Sequence, residues 1–209
     1  MLNNDLKVFG IGLSRTGTSS LTKALTMLGI RAQHYPNDKT TQQELKHGQY
    51  NLSVLKNIQA LTDIPVSPFY PQFDALFPQS KFILTTRPTD EWLRSVDNHF
   101  RLYVEQRRDD FDDFVFACVY GSLHFSAERF AYVKELHERD CRAYFAGRPE
   151  KLLVLDLVRC DDPWGELCRF LDCPLPDEPF PHENKRRTYP ARRVPTGLLS
   201  KLRSRLRRL

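Results

Sequence analysis

Long hydrophobic runs are missing from this chain of 209 residues. No stretch approaches the roughly 18 consecutive apolar residues that a membrane-spanning helix needs, so we expect no spanning segment. The first residues, MLNNDLKVFGIG, lack a basic flank followed by a long apolar stretch. We therefore also expect no signal peptide.

The cysteines lack the spacing of a disulfide framework or a zinc site. The five cysteines form no Cys-x-x-Cys pair, and no histidine near the cluster of Cys160, Cys168 and Cys173 completes a metal pattern. Free thiols are typical of a reducing compartment. We expect a cytoplasmic protein without a metal site.

Acidic residues are absent after Glu183, whereas residues 185–209 carry ten of the chain's Lys and Arg residues. The net charge of +5 therefore arises in this tail, and the rest of the chain carries more acidic than basic side chains. A nucleic-acid-binding protein has its basic residues spread over a folded face. We expect no nucleic-acid partner, and we divide the chain into an α/β domain, residues 1–184, and a basic tail.

The end of this tail, residues 197–209, places leucines on one helical face and arginines around the rest; the leucines are Leu198, Leu202, Leu206 and Leu209. Such a helix can lie on an anionic membrane surface. It can equally pack its leucines on the domain as a last helix. Both readings stay open, so peripheral contact with a membrane is one expectation for a cytoplasmic protein.

Short apolar runs alternate with longer amphipathic segments along the domain. The predicted strands are KVFGIG (7–12), IQALTD (58–63), KFILTT (81–86) and LLVLDL (152–157). Helices are predicted over 18–28, from Thr89 or Asp90 onward, across most of 112–146 and over 162–171. This alternation predicts a three-layer α/β fold, with a mostly parallel central sheet and helices on both faces.

The stretch GLSRTGTSS (12–20) lies between the first strand and the first helix. Its Gly12, Gly17 and Ser19 fit the phosphate-loop pattern G-x-x-x-x-G-K-[ST], but Thr18 occupies the position of the lysine. Backbone N–H groups at a helix start bind anions without any side-chain charge. The strand–loop–helix context therefore predicts a phosphate-type site.

Side chains of this loop add to the predicted anion site. Arg15 is its one cation, and four hydroxyls are candidate donors: Thr16, Thr18, Ser19 and Ser20. The missing lysine argues against a kinase or a nucleoside triphosphatase, because that lysine normally meets the β- and γ-phosphates. A P-loop-like small-molecule kinase and a non-catalytic nucleotide-binding module remain alternative interpretations.

A second stretch, FILTTRPTDEWLRSV (82–96), repeats the arrangement of strand, turn and helix. Arg87 ends the strand, at the edge where open α/β sheets bind ligands. Ser95 follows eight residues later, about two helical turns along. Its hydroxyl can face the same anion.

Together the two stretches resemble sulfotransferases that use 3′-phosphoadenosine 5′-phosphosulfate (PAPS). The family loop K-S-G-T-[TN] is matched by Arg15-Thr16-Gly17-Thr18-Ser19, and the family arginine and serine eight positions apart by Arg87 and Ser95. The fit is closest to a compact group with GxxRTGTxSL, TxRxxxxWxxS, LLVxD and PWxxLCxFL, here GLSRTGTSSL, TTRPTDEWLRS, LLVLD and PWGELCRFL. The resemblance covers about residues 7–184 and implies that the three-layer α/β fold is of the P-loop-like kind.

The resemblance implies a donor site and a reaction. Residues 15–20 would hold the 5′-phosphosulfate of PAPS, and Arg87 with Ser95 would hold its 3′-phosphate. Ser20 stands where cytosolic animal members have an adenine-stacking tryptophan, and only Lys185, Arg186 and Arg187 could replace their closing R-K-G. The implied reaction is sulfuryl transfer to a hydroxyl without a metal, with Arg15 stabilising the departing phosphate.

Two residues are candidates for the base that takes the acceptor's proton. Asp63 stands at the position of the histidine in the family's K-T-H-x-P, and His34 follows the first helix, where some bacterial members carry a catalytic glutamate. The sequence leaves both open. It also leaves open whether the acceptor hydroxyl belongs to a small molecule, a glycan or a lipid, because the loops around 34–57 and 98–130 name no substrate.

Overall fold

A computed structural model describes residues 6–100 and 108–183 of the chain. Five strands lie in one sheet in the order β2-β3-β1-β4-β5, and every adjacent pair is parallel. Their bounds are Val8–Gly10 (β1), Ala32–His34 (β2), Ala60–Thr62 (β3), Lys81–Thr85 (β4) and Leu152–Leu155 (β5). β3 and β2 lie on one side of β1, and β4 and β5 lie on the other. The carboxyl end of β1 is therefore a point where the strand order reverses, which is where open α/β sheets bind ligands.

Seven α-helices accompany the strands within these residues. They are Thr18–Met27 (α1), Lys39–Lys46 (α2), Tyr70–Leu76 (α3), Thr89–His99 (α4), Asp110–Tyr120 (α5), Ala127–Tyr144 (α6) and Pro163–Leu171 (α7), with short 3₁₀ turns at Ser53–Lys56 and Ser67–Phe69. None of the helices in the described ranges is both long and apolar enough to span a bilayer.

Two hydrophobic clusters lie on opposite faces of the sheet. Val8 packs with α1 and α7, whereas its neighbour Phe9 packs with α3, α4, α5 and α6. The same alternation separates Ile83 from Phe82 and Leu84, because successive side chains of a strand point to opposite faces. The predicted three-layer α/β fold is confirmed.

The structure adds detail to two local predictions. The helical region predicted over 112–146 is two helices, because Gly121 ends α5 in the left-handed conformation (φ 58°) and Ser126 caps the start of α6 by accepting from the N–H of Arg129. A strand, β2, also ends at His34 and pairs with β3. His34 is thereby placed at the carboxyl edge of the sheet.

Candidate active site

The backbone of the loop after β1 lies so close to the end of β4 that position 12 has room only for glycine. A Cβ atom added at Gly12 would lie 2.0 Å from the Thr85 hydroxyl and 2.6 Å from the Thr85 carbonyl oxygen. Gly17 precedes α1 with φ 107°, and no side chain in the described ranges caps that helix start. The first N–H groups of α1 are therefore left without a side-chain cap, which is the arrangement of helix starts that can bind an anion.

Two of the four loop hydroxyls hold the loop in place. Thr16 is 2% exposed and donates to the Leu13 carbonyl at 2.6 Å, with Thr85 Oγ1 also at 2.6 Å. Ser20 Oγ accepts from the backbone N–H of Glu183 at 3.0 Å. These two side chains stabilise the loop and the chain beside it, although the sequence predicted them as ligand donors.

The other two hydroxyls converge on an imidazole. Thr18 Oγ1 and Ser19 Oγ each lie 3.1 Å from His34 Nε2. The same nitrogen is 2.9 Å from Asp63 Oδ2. The structure therefore brings the two candidate bases into direct contact with each other and with the loop.

The side chain of Asp63 is buried, and three donors contact its carboxylate. Ser14 Oγ donates at 2.5 Å and the N–H of Ile64 at 2.8 Å, both to Oδ1, while His34 lies against Oδ2. Burial alone would raise the pKa of Asp63, but the hydrogen bond and charge of His34, helped by Ser14 and Ile64, lower it overall. A carboxylate stabilised in this way is a weak base that can orient His34.

Arg15 connects the loop to α4. Its Nε donates to Ser95 Oγ at 3.1 Å, and its backbone is left-handed, with φ 73°. Arg87 lies about two turns earlier, where its Nε is 3.6 Å from Glu91 Oε2. The structure thus brings Ser95 to Arg15, and it leaves Arg87 beside Glu91 at the start of the same helix.

His99, which the sequence analysis did not single out, is half-buried on α4, one turn beyond Ser95. Burial, reinforced by the charge of Arg15 and partly offset by Asp63 and Asp112, lowers the pKa of His99. An imidazole that experiences these three charges belongs to the same edge of the sheet. The four-residue spacing from Ser95 was the available signal, and the motifs did not include it.

Tyr35 is a second residue that sequence reasoning missed. It directly follows His34, adopts a left-handed backbone (φ 47°) and donates its hydroxyl to Asp112 at the start of α5. Burial, followed by Asp112, raises the pKa of Tyr35. Its ring meets Phe111 edge-on at 6.3 Å. No local motif marks this contact, because its partners are 77 positions apart.

Lys185, Arg186 and Arg187 lie outside the described residues, as does the predicted leucine-rich tail. Within the described ranges, no group of three or more His, Cys, Asp or Glu side chains could hold a metal ion. All five cysteines are free. A cavity of about 390 Å³ lies between α5 and α6 and reaches Leu13 of the loop.

Comparison with known proteins identifies the family. The family described as "Sulfotransferase domain" matches residues 7–189. The chain belongs to the sulfotransferase family. This confirms the predicted resemblance, and the protein is a transferase.

This sulfotransferase is also similar to two individual proteins, one in sequence and one in structure. It is 27% identical to "Ava biosynthesis cluster protein M" of Aspergillus versicolor, over 85% of this chain and 80% of that protein. It also resembles the crystal structure of a sulfotransferase from Alicyclobacillus acidocaldarius, with a TM-score of 0.55 and 16% identity, over 97% of this chain and 91% of that one. At that identity the second likeness supports the fold alone.

Proposed function

We propose that this sulfotransferase moves a sulfuryl group from PAPS to a hydroxyl acceptor. The observation that carries the proposal is the 3.1 Å hydrogen bond from Arg15 to Ser95. It joins the two elements that the resemblance assigns to opposite ends of one donor, the phosphosulfate loop and the helix for the 3′-phosphate. A kinase would need a cation at position 18, where this chain has threonine.

The loop supplies what departure of a phosphate requires. Backbone N–H groups at the start of α1 and the hydroxyls of Thr18 and Ser19 would bind the 5′-phosphate end of the donor. Arg15 would neutralise charge that develops on the bridging oxygen as the sulfur–oxygen bond breaks. These groups stand in fixed positions before the reaction, so they need little rearrangement during it.

The acceptor's proton would leave through the pair of His34 and Asp63. With its lowered pKa, Asp63 stays ionised, holds the imidazole and stabilises it when it is charged. The two candidate bases therefore act together in this proposal, and Ser14 keeps the carboxylate in place.

A small-molecule hydroxyl is the acceptor that we favour over a glycan or a lipid. The cavity beside Leu13 has the size of a small ligand site. The name of the Aspergillus versicolor relative refers to a biosynthesis cluster. We further propose a cytoplasmic location, with residues 197–209 available for contact with an anionic membrane surface.

Calorimetry with adenosine 3′,5′-bisphosphate, AMP and ATP tests the donor assignment. We expect the bisphosphate to bind best, and Arg87→Ala to weaken it about 10- to 100-fold while AMP affinity changes little, because one charged hydrogen-bonding group is lost. Arg169→Ala is the matched control, since Arg169 is an exposed arginine that pairs with Glu166 at 3.0 Å, away from the proposed donor site.

Each alternative function predicts a different result. A preference for ATP would support a kinase, and absence of nucleotide binding would support a non-catalytic module. An equal loss of bisphosphate and AMP affinity in Arg87→Ala would refute the role given to Arg87.

A further inference from the structure

A second cavity, of about 400 Å³, adjoins Arg87 on the side of β5. Its walls come from the turn after β4, from α6 and from the turn after β5; the lining residues are Thr86, Arg87, Pro88, Thr89, Asp90, Lys134, Glu138, Asp156 and Arg159. This volume exceeds what a single phosphate group needs and suits part of a nucleotide.

The carboxylates in this lining already have partners. Asp156 accepts from the backbone N–H groups of the next turn at 3.0 and 3.2 Å. Glu138 pairs with Lys134 at 2.7 Å, and Asp90 pairs with Arg94 at 3.2 Å. Glu138 and Asp90 are therefore paired with cations, and the oxygen of Asp156 that faces the turn is already hydrogen-bonded before any ligand binds.

Two guanidinium groups, by contrast, share one carboxylate. Glu91 Oε2 lies 3.6 Å from Arg87 Nε, and Glu91 Oε1 lies 3.8 Å from Arg159 Nη2. Both distances are too long for hydrogen bonds, and the buried Nε of Arg87 has no hydrogen-bond partner among the described residues. Two cations facing one anion leave an excess of positive charge and of N–H donors at this wall.

The turn that carries Arg159 is in contact with the anion loop. A Cβ atom added at Gly17 would lie 2.9 Å from Leu157 Cδ1, two residues before Arg159. On the other side, the helix that follows Arg87 reaches the loop through Ser95 and Arg15. One ligand with two separated anionic groups can therefore contact the loop and the cavity together.

We propose that Arg159 binds the 3′-phosphate of the donor together with Arg87, with Glu91 holding the two guanidinium groups side by side. This inference rests on the proposed function and adds to it a residue that no sequence motif indicated. Only Lys185, Arg186 and Arg187 were expected to close this end of the donor site. Arg159 supplies a planar group with several N–H donors, which suits a phosphate.

Arg159→Gln tests the proposal by calorimetry in the full chain. We expect affinity for adenosine 3′,5′-bisphosphate to fall about 10- to 100-fold, as for loss of a hydrogen bond to a charged group, and AMP affinity to stay within about twofold. Arg159 is 65% exposed, so the substitution should not disturb folding, and a thermal unfolding curve checks this. The matched control is Arg169→Gln, which removes a surface arginine that is 71% exposed and pairs with Glu166.

Two outcomes would overturn the assignment of Arg159: an unchanged bisphosphate affinity, or an equal loss for AMP. If the unaltered protein binds the bisphosphate and Arg159→Gln does so equally well, this inference fails while the proposed function survives. If the unaltered protein shows no preference for the bisphosphate over AMP, the proposed function itself fails.

Discussion

Asp63→Asn removes the negative charge at the centre of the site and changes the shape of the side chain very little. Asparagine is nearly isosteric with aspartate and tolerates the left-handed backbone at this position, where φ is 83°. One oxygen can still accept from Ser14 and from the N–H of Ile64. The substitution therefore acts mainly on the 2.9 Å contact with His34.

The contacts of Asp63 indicate how much stability Asp63→Asn should lose and how that loss should depend on pH. A hydrogen bond to a charged group contributes about 1.5–3 kcal/mol, so we expect Asp63→Asn to lower the free energy of unfolding by about that amount at pH 7. The folded pKa of Asp63 lies below its ordinary value of 3.8. The carboxylate's contribution is therefore fully present above that ordinary value and is lost as the pH falls through the folded pKa.

Urea unfolding at pH 7 and at several values below about 4 measures this difference. The difference in free energy of unfolding between the unaltered protein and Asp63→Asn should decrease steadily toward low pH. The control variant Asp177→Asn, which changes an exposed aspartate, should show no such difference. A penalty of the same size at every pH would mean that side-chain shape matters and charge does not. Absence of a penalty at pH 7 would refute the reasoning about the pair of His34 and Asp63.

Two other predictions concern the loop and the tail. Gly12→Ala should abolish bisphosphate binding and cost about 1–3 kcal/mol or more of stability, because its Cβ would overlap the last residue of β4. Gly29→Ala controls for backbone strain: its φ of 80° disfavours a side chain, but no atom lies within 4 Å of the added Cβ, so this variant should retain binding in the same titration. Removal of residues 197–209 should reduce flotation with anionic liposomes, and equal flotation of the two proteins would exclude the membrane-surface interpretation.

The sequence predicted best those parts of the site in which the functional residues lie within one short stretch of chain that has its own secondary-structure pattern. The apolar run before Gly12 and the leucines after Gly17 predicted β1, the loop and α1, because each has its own short-range signature. The predicted spacing from Arg87 to Ser95 likewise spans one short stretch, from the turn before α4 to the second turn of that helix. Its register is a property of the local chain, so sequence alone was enough to find it.

The contacts that sequence could not supply are those between distant segments. Asp63 and His34 were alternatives as long as the order of the strands was unknown. Once β2 and β3 are neighbours, with His34 opposite Thr62 in register, the residue after Thr62 lies beside the end of β2. The same applies to Glu91 and Arg159, which are brought together by the adjacency of β4 and β5 and share no pattern in the sequence.

Strained backbone conformations give a last indication of which residues the fold positions for function. Among the described residues, Arg15, Tyr35 and Asp63 are non-glycine residues with positive φ. Tyr35 and Asp63 directly follow β2 and β3, and Arg15 lies in the loop after the neighbouring strand β1. Such a conformation costs roughly 1–3 kcal/mol and persists only where surrounding contacts stabilise it.

In each case a side-chain hydrogen bond to another element supplies that support: Arg15 donates to Ser95, Tyr35 to Asp112, and Asp63 accepts from Ser14. The fourth described residue of this kind, Asp172, ends a helix and needs no such partner. Three strained residues supported in the same way at one edge of the sheet are typical of a site whose geometry is maintained at a cost to stability. Tyr35 therefore belongs to the same constellation as Arg15 and Asp63, although no motif includes it.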